Sequence, residues 1–101
     1  MRMLLDITFP HEPFNSYVRE GVISKKIRAI LDELKPESVY FSEYDGLRGA
    51  VVVVDVQDAS KIPSIAEPWF LTFEADVLMR IAMTPEDLEK SGIDKIGSKW
   101  S

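Results

Sequence analysis

The sequence predicts an α+β domain, one antiparallel sheet with helices packed on a single face. Three observations carry this. Strand-like and helix-like periodicities alternate along the 101 residues in the order strand, helix, strand, strand, helix, strand. Asp45-Gly46 separates two strand-like runs, and a type I′ hairpin needs positive φ at both of its central positions. Residues 49–56, Gly-Ala-Val-Val-Val-Val-Asp-Val, form a strand apolar on both faces, whereas the chain supplies helices enough to cover only one of them.

The first strand is residues 3–9, where Met3, Leu5, Ile7 and Phe9 alternate with Leu4, Asp6 and Thr8. Pro10 and Pro13 then punctuate the chain. From Phe14 to Leu34, Phe14, Tyr17, Val18, Val22, Ile23, Ile27, Ile30, Leu31 and Leu34 recur at three- and four-residue spacing, as on one face of a helix. Gly21 bends that helix or marks its proper start, and Pro36 ends it. The second strand, Val39 to Tyr44, enters the Asp45-Gly46 turn. The turn pairs Tyr44 with Leu47 and sets Glu43 opposite Arg48.

Ile62, Ile65, Ala66, Trp69, Phe70 and Phe73 continue in helical phase through Pro68, which predicts a kinked helix or two short pieces meeting near Glu67. The fourth strand runs from Ala75 to Met83. Thr84-Pro85-Glu86-Asp87 has the composition of a helix start, with a threonine cap, proline in the first turn and acids at the positive helix end. Gly92 stops this helix. Residues 1–92 make the domain, and residues 93–101 form a tail that is mobile or docks through Ile96 and Trp100.

Composition excludes several functions. Apolar residues at 46% and charged residues at 29% match a globular protein, and no apolar run approaches the roughly 20 residues of a membrane span. Met1-Arg2-Met3 leads directly into the first strand without the apolar stretch of a secretory signal, so a cytoplasmic location and no membrane contact are expected. Twelve basic against seventeen acidic residues, a net charge of −5, repel phosphate backbones; Lys25, Lys26 and Arg28 read as a solvated helix face. No nucleic-acid partner is expected. The absence of cysteine removes disulfides, thiolate zinc sites and cysteine nucleophiles. No Gly-rich phosphate loop, Gly-x-Ser-x-Gly elbow or metalloprotease helix is present, and no cofactor or metal is expected.

The element order is that of the ferredoxin-like split βαβ fold, with the first strand between the third and fourth. Its helix-covered face receives Met3, Leu5, Ile7, Phe9, Val39, Phe41, Val52, Val54, Val56, Val77, Met79, Ile81 and Met83. The open face collects Leu4, Asp6, Thr8, Tyr40, Ser42, Tyr44, Val51, Val53, Asp55, Leu78, Arg80 and Ala82. An antiparallel sheet can leave such a face in water, but contiguous apolar patches mark interaction sites, and a C2 homodimer would bury both copies at once.

Residues 39–56 with the Asp-Gly-Leu-Arg-Gly turn, then Ile65-Ala66-Glu67-Pro68-Trp69-Phe70, then Met83-Thr84-Pro85-Glu86-Asp87-Leu88 resemble a small family of uncharacterised bacterial proteins similar to the dimeric α+β barrel superfamily. The resemblance implies a homodimer built through the open sheet face. It implies an activity among those of the superfamily: cofactor-independent monooxygenases, muconolactone-type isomerases, haem-degrading enzymes and binding modules. The haem-degrading relatives bring a histidine from the second helix, where this chain has none.

Candidate site residues follow from position. Asp6 and Arg80 fall on neighbouring strands and one face, either as a structural ion pair or as an anchor for a polar ligand. Tyr40 and Ser42 add donors beside them. His11, the only histidine, follows the first strand as a loop residue or, with Glu12 and Asn15, as a general base. Trp69 and Phe70 close the core or wall a pocket between helix and sheet. The expected function is binding of a small, partly apolar molecule, with cofactor-free isomerase or monooxygenase chemistry in which His11 moves a proton, Arg80 holds an anionic oxygen and Asp6 orients Arg80. The alternatives are a non-catalytic ligand-sensing or interaction module and a purely structural dimer.

Overall fold

In the computed structural model, which describes residues 1–101, β1 (Arg2–Phe9), β2 (Ser38–Tyr44), β3 (Leu47–Asp55) and β4 (Asp76–Ile81) form one antiparallel sheet ordered β2-β3-β1-β4. The architecture is α+β and ferredoxin-like. Asp45 (φ 51°) and Gly46 (φ 83°) make the hairpin, and the register it sets pairs Tyr44 with Leu47 and Glu43 with Arg48, as their spacing predicts. β1 pairs with β3 on one side and β4 on the other, so Leu5 faces Val52 and Met79 across the two ladders.

Three helices cover one face: α1 (His11–Glu20), α2 (Ile23–Leu34) and α3 (Ile62–Phe73). The core is where they meet the sheet. Met3, Leu5, Ile7 and Phe9 from β1 and Val52 and Val54 from β3 pack against Phe14, Ile30, Ile65, Trp69 and Phe73. Phe9 is its aromatic centre, meeting Phe14 at 5.2 Å and Phe73 at 5.0 Å edge-on. Tyr17 reaches across the layer and donates its hydroxyl to the Thr72 carbonyl at 2.9 Å, tying α1 to α3.

Four details differ from the sequence-based expectations. The long helix expected over residues 14–34 is two, because Gly21 (φ 73°) closes α1 in a left-handed cap. Its N–H bonds Val18 and that of Val22 bonds Tyr17, the Schellman pattern. α3 is one continuous helix through Pro68 and not two short pieces; the proline removes one donor, and the burial of Trp69 and Phe73 beyond it holds the helix together. Phe41 and Ile81 have the expected pleat orientation but are exposed, since the helical layer ends before the margins of β2 and β4, and Met83, beyond the end of β4, is exposed as well. The last segment holds a second helix, so α4 (Pro85–Lys90) and α5 (Ile93–Lys99) follow β4.

No helix is long and apolar enough to cross a membrane.

Candidate functional site

The open face of the sheet is ordered in rows that run across the strands. Tyr40, Val51, Asp6 and Leu78 make one row, Ser38, Val53, Leu4 and Arg80 the next, and Ser42, Gly49, Thr8 and Asp76 the one on the other side. Alternation along each strand puts all of these side chains on one surface. Gly49 contributes no side chain, and a Cβ there would stand 3.3 Å from the Ile7 carbonyl and 3.4 Å from the Tyr44 Cβ. The missing side chain leaves a hollow.

That hollow is a concavity of about 440 Å³ whose rim and floor include Asp6, Thr8, Ser42, Tyr44, Leu78 and Arg80. Asp6 and Arg80 are diagonal neighbours on adjacent strands, within reach of a long side chain. Arg80 Nη1 donates to Asp6 Oδ2 at 2.5 Å, with the two side chains 59% and 33% exposed. At that exposure the pair adds little stability, because water competes for both charges. One guanidinium edge is thus oriented by the carboxylate, and its other N–H groups remain open to a ligand oxygen. Val51 and Leu78 flank the charged pair with apolar surface.

Other expected residues lie elsewhere. Tyr40 stands on the same face beside Val51 and is 71% exposed, outside the hollow's lining. His11 is exposed in a separate, smaller depression with Gly46, Leu47 and Arg48, which shares Ser42 and Glu43 with the concavity. Its expected helpers are engaged. The Glu12 carboxylate accepts from the Ser16 hydroxyl (2.7 Å), the Ser16 N–H (3.0 Å) and Arg19 (3.3 Å), and the Ser16 hydroxyl above all holds its pKa below the ordinary glutamate value. Asn15 accepts from Arg48 at 2.7 Å, while that guanidinium lies over the Phe14 ring at 4.4 Å.

Trp69 is fully buried between Phe9 (6.0 Å) and Phe73 (6.3 Å), on the helix side of the sheet, where it closes the core away from the hollow. Phe70, beside it, is half-buried and also away from the hollow. Thr8, Tyr44, Gly49, Val51 and Leu78 are among the lining residues that site reasoning from sequence missed. Their signal was parity: they share a pleat face with Asp6 and Arg80. No cluster of three or more histidine or acidic side chains is placed to hold a metal ion.

No family model and no curated protein matches the chain. Among solved structures, the de novo designed protein Ferredog-Diesel is similar at a TM-score of 0.49 and 13% identity, covering 80% of this chain and 85% of that one.

Proposed function

We propose that this chain is a homodimeric binding protein that pairs through its open sheet face and holds a small, partly apolar anion in the Asp6–Arg80 hollow. The observation that carries the reading is the hollow itself. An oriented guanidinium with free N–H groups stands beside the apolar side chains of Val51 and Leu78, with the hydroxyls of Thr8, Ser42 and Tyr44 along the rim. Small-molecule sites combine apolar walls with a few convergent polar groups in this way. A second copy laid over the face would exclude water from the pair and strengthen its hold on a carboxylate or enolate oxygen.

A binding module fits better than an enzyme, since the one histidine, His11, opens on the neighbouring depression. Cofactor-free isomerase or monooxygenase chemistry keeps one observation in its favour, the wall of Ser42 and Glu43 that the two depressions share. Such chemistry would bring the His11 side chain over that wall.

The test separates ligand from interface. With benzoate as probe, the unaltered chain should bind measurably by titration calorimetry, and Arg80→Met should weaken that binding on the order of 10-fold or more, the value of one charge-assisted hydrogen bond. Light scattering should return twice the 11.5 kDa chain mass for both proteins at micromolar concentration. Equal binding by Arg80→Met sinks the anion site, and loss of the dimer in that variant alone would make Asp6–Arg80 an interface ion pair.

A further inference from the structure

The C-terminal segment after β4 leaves the body of the molecule. The radius of gyration is 17.0 Å and the longest dimension 59 Å, whereas a compact chain of this length has a radius near 13 Å. The direction is built in: Ala82 still pairs with Arg2 at the end of the sheet, and Thr84 caps α4 two residues later. α4 and α5 pack on each other and stand clear of the helical layer. Their apolar side chains are uncovered, with Leu88 41%, Ile93 50%, Ile96 48% and Trp100 77% exposed. Ile93, Ile96 and Trp100 follow at three- and four-residue spacing, one face of a helix.

We infer that this arm, residues 83–101, clasps a second copy of the same chain, Ile93, Ile96 and Trp100 of each protomer packing on its partner. The inference rests on the sheet-paired homodimer proposed above and adds a second, reciprocal contact to it. Surface area argues for the second copy. The chain exposes 7142 Å², roughly 1300 Å² more than a compact monomer of its mass. A standard interface takes about 800 Å² from each partner, so the excess is of the size that a stable dimer removes.

Symmetry and charge point the same way. One chain carries both unpartnered apolar surfaces, the open sheet and the arm, and a twofold pair covers all four in a closed assembly. Along the arm, Glu86, Asp87, Glu89 and Asp94 are interspersed with Lys90, Lys95 and Lys99. That mixture suits another neutral-to-acidic protein surface and gives no footing for a nucleic acid or an anionic membrane.

The experiment uses the full chain with Ile93→Ser, Ile96→Ser and Trp100→Ser combined. These residues are exposed in the single chain, so its core is untouched and its circular dichroism should be kept. Sedimentation should show the dimer dissociation constant raised on the order of 100-fold. Independently, the emission difference between the unaltered chain and Trp100→Phe reports Trp100 alone. It should be that of a shielded indole in concentrated dimer and shift to that of a solvated one as dilution releases monomers.

Shielding at every concentration would mean that the arm folds onto its own chain, and solvation at every concentration that it stays free; either overturns the clasp. An unchanged dissociation constant in the triple variant does the same, with the sheet pairing intact. A single-chain mass for the unaltered protein at micromolar concentration instead removes the pairing on which the clasp depends.

Discussion

Trp69 carries the largest fully buried side chain, yet its indole Nε1 has no hydrogen-bond partner. The ring is therefore held by packing alone, against Phe9 and Phe73, and the orphaned donor subtracts from what that packing contributes. Trp69→Ala should cost about 3–5 kcal/mol in a urea unfolding curve. Trp69→Phe should cost distinctly less, because it keeps most of the ring and removes the unpaired N–H. A Phe variant as unstable as the Ala variant would mean that the indole N–H contributes through a partner and is not orphaned. At this scale the sequence was readable wherever parity decides contact, as for Asp6 and Arg80. It was silent on Glu12 and Asn15, whose commitments to Ser16 and Arg48 depend on how α1 turns against the hairpin.

The elements end where single residues permit it. Gly21 at φ 73° is the hinge between α1 and α2, a conformation that a Cβ disfavours, so Gly21→Ala should destabilise by about 1 kcal/mol by chemical denaturation although nothing stands within 4 Å of the added methyl. α4 is set by a reciprocal cap: Asp87 N–H donates to Thr84 Oγ1 at 3.0 Å and Thr84 N–H to Asp87 Oδ2 at 3.1 Å. The Thr84 N–H, more than its hydroxyl, holds the Asp87 carboxyl below the ordinary aspartate value. A lowered folded-state pKa contributes stability above the unfolded value and loses it as pH falls through the folded one. The protection of the amides of residues 86–90, taken against the intrinsic exchange rate at each pH, should therefore fall in acid below the usual aspartate range and stay level through neutrality; Thr84→Ala should lower it at every pH. Thr84-Pro85-Glu86-Asp87 showed this start in the sequence. The break at Gly21 was visible only as a choice between a bend and a new beginning, since apolar spacing continues in phase across it.

For the whole molecule, one sheet face is closed by helices and the other is open, and the pairing proposed for the open face has a direct check. Val51 is 40% exposed in the single chain and central to the row from Tyr40 to Leu78. Val51→Lys, whose ammonium would stand opposite the Asp6 carboxylate, should keep the circular dichroism of the folded chain, yet give the mass of one chain by light scattering where the unaltered protein should give two. Retention of the dimer would place the contact elsewhere. The hairpin register and the division of residues between faces were determined by the sequence itself, because period-2 alternation and a positive-φ turn are local properties of the chain; strand order followed from the element order only through the ferredoxin-like topology. Which side chains the helices reach, that Gly49 opens a hollow beside Asp6 and Arg80, and that α4 and α5 point away from the body were decided only in three dimensions. Those outcomes depend on how far each layer extends over its neighbour, and a pattern along the chain fixes the facing of a residue without fixing what lies above it.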